Sequence, residues 1–290
     1  MSGIDIAGVR PLLRTRNMNE RTFNPPSVLT IAGSDSGGGA GIQADLHTFA
    51  AHGVHGLCAI TAVTAQNTRS VTAIQPLAPR MVRAQLDAVF ADFRVRVVKL
   101  GMLATSAIVR AVAQELERHP RIQVVLDPVL VATTGARLAS GNLVGPLRRH
   151  LLARADLLTP NIPEAESLLG RRLRDTADML GAAADLIDRG AGAVLLKGGH
   201  LSGRRVSDLL LTRDGAHWFH HARLRAEGHG TGCTLASAVA ANLALGDPLT
   251  IAVGKAVEYV HRALAGGYGP GRGKLRVLDH LIGVRSRELP

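Results

Sequence analysis

"SVLTIAGSDSGGGAGIQAD", residues 27–45, decides the fold. Its opening run, Ser27 to Gly33, is short and apolar, the pattern of a strand buried on both faces. Consecutive glycines at 37–39 follow, either a plain flexible turn or a place where the backbone approaches a ligand closely. A helix is expected from about residue 40 to 52. No register of these glycines gives the G-x-G-x-x-G dinucleotide fingerprint, and no Gly-Lys is followed by Ser or Thr as a Walker loop requires.

Working outward, further strands are expected at 56–66, 94–101, 122–128, 155–161 and 193–199, with helices at 79–91, 105–118, 142–153 and 175–189. Pro79 suits a first helical turn. Asp175 reads as a cap and Gly190 as a stop. After 199 the alternation breaks. "VSDLLLT" (206–212), Asp214-Gly215 and "AHWFHH" (216–221) read as a hairpin, with His217, His220 and His221 on its surface. Helices at 232–245 and about 249–265 close the pattern. This order implies an α/β fold: a mostly parallel central sheet, helices on both faces and a late antiparallel hairpin. Residues 27–290 are expected to be a single domain. Residues 1–26, with Arg10, Arg14, Arg16 and Arg21 and a closing Asn24-Pro25-Pro26, read as a mobile N-terminal extension, or the true start is Met18.

The chain of 290 residues carries a formal charge of +11, nearly all from scattered arginines, with only 3% aromatics. Such a chain suits anionic metabolites, while the missing basic run and missing aromatics argue against nucleic acid. Two cysteines, Cys58 and Cys233, make neither a disulfide framework nor a zinc cluster and fit a reducing cytoplasm. No apolar stretch is long enough to span a membrane.

Ligands of such sheets sit beyond the carboxyl ends of the strands. Gln66, in "TAQNT" (64–68), offers a donor and an acceptor that can read a ring nitrogen and its exocyclic amine together, or it faces solvent. Met102, in "KLGML" (99–103), lies against a heterocycle or fills a gap. Asp45, four residues after Gly41, points over the glycine loop or into solvent. Asp127, in "LDPV" (126–129), meets a metal or its waters, or simply turns the chain. Asn161 and Glu164, in "TPNIPE" (159–164), are a capping box or a pair of hard oxygen ligands for water-bound Mg²⁺. Lys197, before Gly198-Gly199, reaches phosphates or lies on the surface. "HGTGCTLASA" (229–238) runs a glycine turn into a helix, whose free N–H groups attract anions, and sets Cys233 at that start. Together these features call for phosphoryl transfer from a nucleotide, which rests on positioning and charge stabilisation.

Over residues 27–283 the chain resembles the bacterial hydroxymethylpyrimidine/phosphomethylpyrimidine kinases of thiamine biosynthesis, of the ribokinase-like superfamily. "LTIAGSDSGGGAGIQADL", "ITAVTAQNT", "KLGML", "VVLDPV", "LLTPNIPEAESLL", "LLKGGH" and "HGTGCTLASA" carry the resemblance in order. It implies ATP and Mg²⁺, and an aminopyrimidine alcohol and its monophosphate as acceptors. It places Gln66, Asp45, Gly33 and Met102 around the pyrimidine, and Lys197, Asn161, Glu164 and Asp127 toward ATP, with Glu164 and Asp127 toward Mg²⁺ through water. Gly230, Thr231, Gly232 and Cys233 form the anion hole, with Cys233 as a base activated by a lowered thiol pKa, or merely packed against substrate. A homodimer is implied as well. A pyridoxal kinase is the close alternative. The finish "GGYGPGRGKLRVLDH" (266–280) follows the family only loosely.

Overall fold

The structure, a computed structural model, describes residues 24–130, 141–224 and 228–282. The expected N-terminal extension therefore lies almost wholly outside the described residues.

The opening stretch folds as read. β1 (Ser27–Asp35) lies inside a nine-stranded sheet, and α1 (Gly41–Ala51) follows the glycine turn. β2 (His55–Gln66) and β3 (Val71–Pro76) lie to one side of β1. On the other side come β4 (Val95–Leu100), β5 (Gln123–Leu126), β6 (Leu157–Leu158), β7 (Val194–Leu196) and the hairpin of β8 (Arg205–Thr212) and β9 (Gly215–Ala222). The pairs from β2 through β7 are parallel, while β3, β8 and β9 pair antiparallel.

Alternation along each strand builds two cores. Leu29, Ile31, Val98 and Leu100 face α2 (Pro79–Asp92), α3 (Ser106–Arg118), α4 (Val144–His150), α5 (Ile162–Leu169) and α6 (Thr176–Asp188). Val28, Val97 and Val125 face α1, α7 (Thr231–Ala244) and α8 (Leu249–Ala265). Buried alanines along α7, among them Ala236, Ala238, Ala240 and Ala241, face this core beside Leu235 and Val239. The cap at Asp175 forms, accepting from the amides of Ala177 and Asp178.

Three differences from the sequence reading have local causes. β3 is an edge strand with no buried residue, ending at Pro76, so its apolar signal is weak. The strand expected over 155–161 shrinks to two residues, because Pro160 has no N–H for a ladder. Residues 228–229 and 276–277, for which no strand is expected, pair as short parallel strands, β10 (Gly228–His229) and β11 (Arg276–Val277). They hold the loosely matching finish of the chain against the entry to α7.

Because β1 sits between β2 and β4, the chain leaves it in one direction and later returns on the other side. That topological switch point opens a crevice at the carboxyl ends of the strands.

Candidate active site

A cavity of about 830 Å³ occupies this crevice. Its wall includes Gly33, after the apolar part of β1, Met102, after β4, and Gln66, closing β2. A Cβ on Gly33 would lie 2.9 Å from the Met102 sulfur, so glycine is what lets the thioether lie against the strand. Thr61 fixes the turn by donating to the Met102 carbonyl at 2.6 Å.

Asp45 does not join them, which corrects the sequence reading. Its side chain is completely buried beneath α1 and paired at 2.9 Å with the equally buried Lys99. Thr30 and Ser237 donate to the same carboxylate at 2.6 and 2.7 Å. Burial works to lower the Lys99 pKa, but the Asp45 carboxylate outweighs it, so the ammonium stays charged. The spacing from Gly41 suggested a side chain over the loop, yet the helix turns it into the core.

The glycine loop also differs from expectation. The Asp35 carboxylate, at the end of β1, accepts from the amides of Gly37, Gly39 and Ala40 at 2.7, 3.0 and 2.9 Å. The amides that were open to a ligand thus hold the protein's own anion. Burial works to raise the Asp35 pKa, while His229 and these amides more than offset it, so the group stays ionised below the usual carboxylate range. His229 Nε2 lies 3.0 Å from Asp35 Oδ2 and 2.8 Å from the side-chain nitrogen of Gln66. Asp35 and His229 line the cavity and went unread; the available signal was a carboxylate before the glycines and a ring before Gly230-Thr231-Gly232. His221, read as a surface residue of the hairpin, also lines the cavity, 3.5 Å from Asp208, whereas His217 and His220 are exposed.

Another part of the cavity wall is built on α7. Gly230, its cap, has φ 81°, and a Cβ there would sit 2.0 Å from the Gly39 carbonyl oxygen. The two glycine turns are therefore in backbone contact. The first intrahelical bond runs from Thr234 N–H to the Gly230 carbonyl, which leaves the N–H groups of Thr231, Gly232 and Cys233 at the cavity wall. Across from them Lys197 donates to Asp127 Oδ1 at 2.9 Å and lies 4.0 Å from Glu164. Burial works against the Lys197 charge, and Asp127 and Glu164 prevail, keeping it an ammonium. A Cβ on Gly232 would lie 3.1 Å from that nitrogen, so glycine brings the helix start and the lysine together.

Asn161 and Glu164 do form a capping box, with reciprocal bonds of 2.9 Å. The metal reading is not displaced by it: Glu164 Oε2 makes the cap bond, while the carboxylate lines the cavity. Burial, partly countered by Lys197 and reinforced by Asp127, raises the Glu164 pKa to about 7. Among the described residues no three His, Cys, Asp or Glu side chains cluster closely enough to hold a metal by themselves. Two carboxylates at a cavity wall suit instead an ion that keeps waters and takes its other ligands from phosphates.

Cys233, at the start of α7, is half-buried and lines the same cavity. The expectation of a lowered thiol pKa is corrected. Burial pushes it up to about 11, and Asp45 and Asp127 add to that, while Lys99 and a backbone hydrogen bond with Gly41 only partly oppose them. The helix start is present, but desolvation wins.

Helix-start amides and a charged lysine meeting over one cavity can hold a phosphoryl group in transit, and with this sheet order they define a ribokinase-like small-molecule kinase. The phosphomethylpyrimidine kinase family matches residues 35–278, and the chain belongs to that family. It is 47% identical over 251 residues to the hydroxymethylpyrimidine/phosphomethylpyrimidine kinase of Rhizobium meliloti, covering 84% of this chain and 94% of that one. It is 48% identical over 268 residues to the thiamine biosynthesis bifunctional protein ThiED of Geobacter sulfurreducens, covering 91% of this chain and 55% of that one, so it spans about half of that longer relative. The pyridoxal kinase of Staphylococcus aureus, solved in complex with pyridoxal, superposes with a TM-score of 0.82 at 32% identity, over 90% of this chain and 95% of that one. No helix among the described residues is long and apolar enough to cross a membrane.

Proposed function

We propose that residues 27–290 form one catalytic unit that transfers phosphoryl groups from ATP to 4-amino-5-hydroxymethyl-2-methylpyrimidine and then to the monophosphate, giving the diphosphate used in thiamine biosynthesis. The observation that carries this is a single cavity lined by Gly33, Gln66 and Met102 together with Lys197 and the Gly230–Cys233 turn. In the first step the alcohol oxygen attacks the γ-phosphorus, the bond to the bridging oxygen breaks, ADP leaves and the alcohol proton passes to the Cys233 thiolate. In the second, an ionised oxygen of the monophosphate attacks and no base is required. The helix-start amides and Lys197 receive the added charge, since the Gly37–Ala40 amides are held by Asp35. Phosphorus NMR of the protein with ATP and the alcohol is expected to show monophosphate and then diphosphate; a reaction stopping at monophosphate with excess ATP removes the second step.

The likeness to a pyridoxal kinase supports a second reading, phosphorylation of pyridoxal at the same place. Turnover of both alcohols side by side separates the two, and the pyrimidine is expected to be preferred. A homodimer in the cytoplasm completes the proposal, and sedimentation velocity tests the dimer.

Asp127 and Glu164 would hold Mg²⁺ through water, and the ion would supply charge neutralisation at the phosphates. Glu164→Gln separates this role from the cap, since Gln also serves at the third helical position. The variant is expected to raise the Mg²⁺ concentration needed for half-maximal rate. Burial holds the Glu164 carboxyl at about 7 in the folded protein, above the 4.5 of an ordinary glutamate. The folded state keeps its proton to higher pH, so wild-type protein loses stability as pH rises from 4.5 to 7, and the Gln variant does not. Without metal, the variant should melt level with wild type at low pH and above it at pH 8. An unchanged Mg²⁺ titration would leave Glu164 as a cap only.

A further inference from the structure

Asp35 can act only as an acceptor. It is ionised and already takes three backbone N–H groups. The 3.0 Å contact between its Oδ2 and His229 Nε2 therefore requires the imidazole proton to sit on Nε2. A second observation agrees. His229 Nδ1 is buried and finds no hydrogen-bond partner among the described residues. A bare ring nitrogen tolerates that position better than a buried N–H, since orphaned donors are the rarer and costlier case.

The same Nε2–H reaches the terminal amide of Gln66 at 2.8 Å. The side chain is placed with its nitrogen there, but two N–H groups cannot bond to one another, and amide oxygen and nitrogen are told apart by their partners. Turned about, Gln66 sets its carbonyl oxygen on His229 and its NH₂ 3.4 Å from Thr64 Oγ1. That hydroxyl donates to the Ser34 carbonyl at 2.9 Å and keeps lone pairs for the amide. Each group in the chain Asp35–His229–Gln66–Thr64 then meets its complement, the one Nε2–H being shared between Asp35 and Gln66 as a three-centre bond.

We infer that His229 is a positioning residue that sets specificity: anchored on Asp35, it locks the Gln66 amide in one of two orientations and so fixes the order in which the cavity offers donor and acceptor. This rests on the reading of Gln66 as the side chain that pairs with the aminopyrimidine edge. That edge carries an amine donor beside a ring-nitrogen acceptor. The 4-oxo counterpart carries an oxygen acceptor beside a ring N–H, the reverse order. A glutamine free to turn accommodates both rings. A locked one rejects the reversed ring, because turning it breaks the bond to His229. The lock also decides which way the ring lies, and with it where the hydroxymethyl arm points.

The test compares kcat/KM for the amino alcohol and its 4-oxo counterpart in wild type, His229→Phe and His229→Gln. Wild type is expected to favour the amino ring by about 10²-fold or more, as sites built around paired hydrogen bonds do. His229→Phe keeps a ring but loses the donor, and the preference should fall below about tenfold. His229→Gln returns a donor near the place of Nε2 and should restore most of it. A preference that persists in the Phe variant overturns the inference alone. Failure of wild type to turn over either ring overturns the reading of the cavity, and the inference with it. Nitrogen-15 NMR of the wild-type imidazole needs neither substrate nor a folded variant: a proton on Nε2 is expected, and one on Nδ1 overturns the lock.

Discussion

Cys233→Ala is expected to lower kcat for the alcohol step about 10²-fold at pH 7 and about 10⁴-fold at pH 9, the span over which general bases usually contribute. The dependence on pH follows from the thiol being pushed up to about 11. Below that value the thiolate fraction grows tenfold per pH unit, so the wild-type rate should climb with a slope near one in log kcat against pH. The alanine variant has no group to ionise there and should run flat, so the gap widens upward. The phosphate step supplies its own ionised nucleophile and should lose little in the variant at either pH. ATP affinity should hold, since the Gly230–Gly232 turn and Lys197 are untouched. A flat wild-type profile, or a variant keeping more than about a third of wild-type kcat, would show that the thiol only packs against the substrate.

Cys233 combines a feature visible in the sequence with one that is not. A cysteine opening a helix after Gly-Thr-Gly can be read directly, because it is local. Its desolvation cannot, because it comes from the way α7 packs across β1, β4 and α1. The same divide runs through the site. The β1–turn–α1 unit, Gln66, Met102, Asp127 and Lys197 were legible because each stands next to a strand whose apolar run announces it. Asn161 and Glu164 were legible as a pair because their spacing is a helical one, and the structure realises the cap while leaving the carboxylate at the cavity. Asp35 and His229 escaped notice because they are 194 residues apart and neither stands in a recognised spacing. β3 escaped because an exposed edge strand gives no buried run to find.

Asp45 shows the divide most sharply, and the energetics of its pair with Lys99 supply a test. Lys99→Met is expected to lower stability by about 3–5 kcal/mol, because it leaves a carboxylate buried without its cation. For a protein of this size that corresponds to a fall in melting temperature of roughly 6–20 °C. Asp45→Asn should also destabilise, since it strands the ammonium, although Thr30 and Ser237 can turn their hydroxyls to suit the amide. The double variant removes both charges at once. It should be more stable than the sum of the single losses predicts, with a coupling of about 1–3 kcal/mol, because neither charge is left alone. The kinetic outcome separates this role from the one the sequence suggested. An Asp45 that touches the pyrimidine would give Asp45→Asn a KM raised tenfold or more with its melting temperature unmoved. An Asp45 enclosed beneath α1 gives the reverse: KM within about threefold of wild type at a temperature where the variant is folded, and a clear loss of thermal stability. The second result is the one the geometry requires, since the carboxylate is fully buried and its oxygens are taken by Lys99, Thr30 and Ser237.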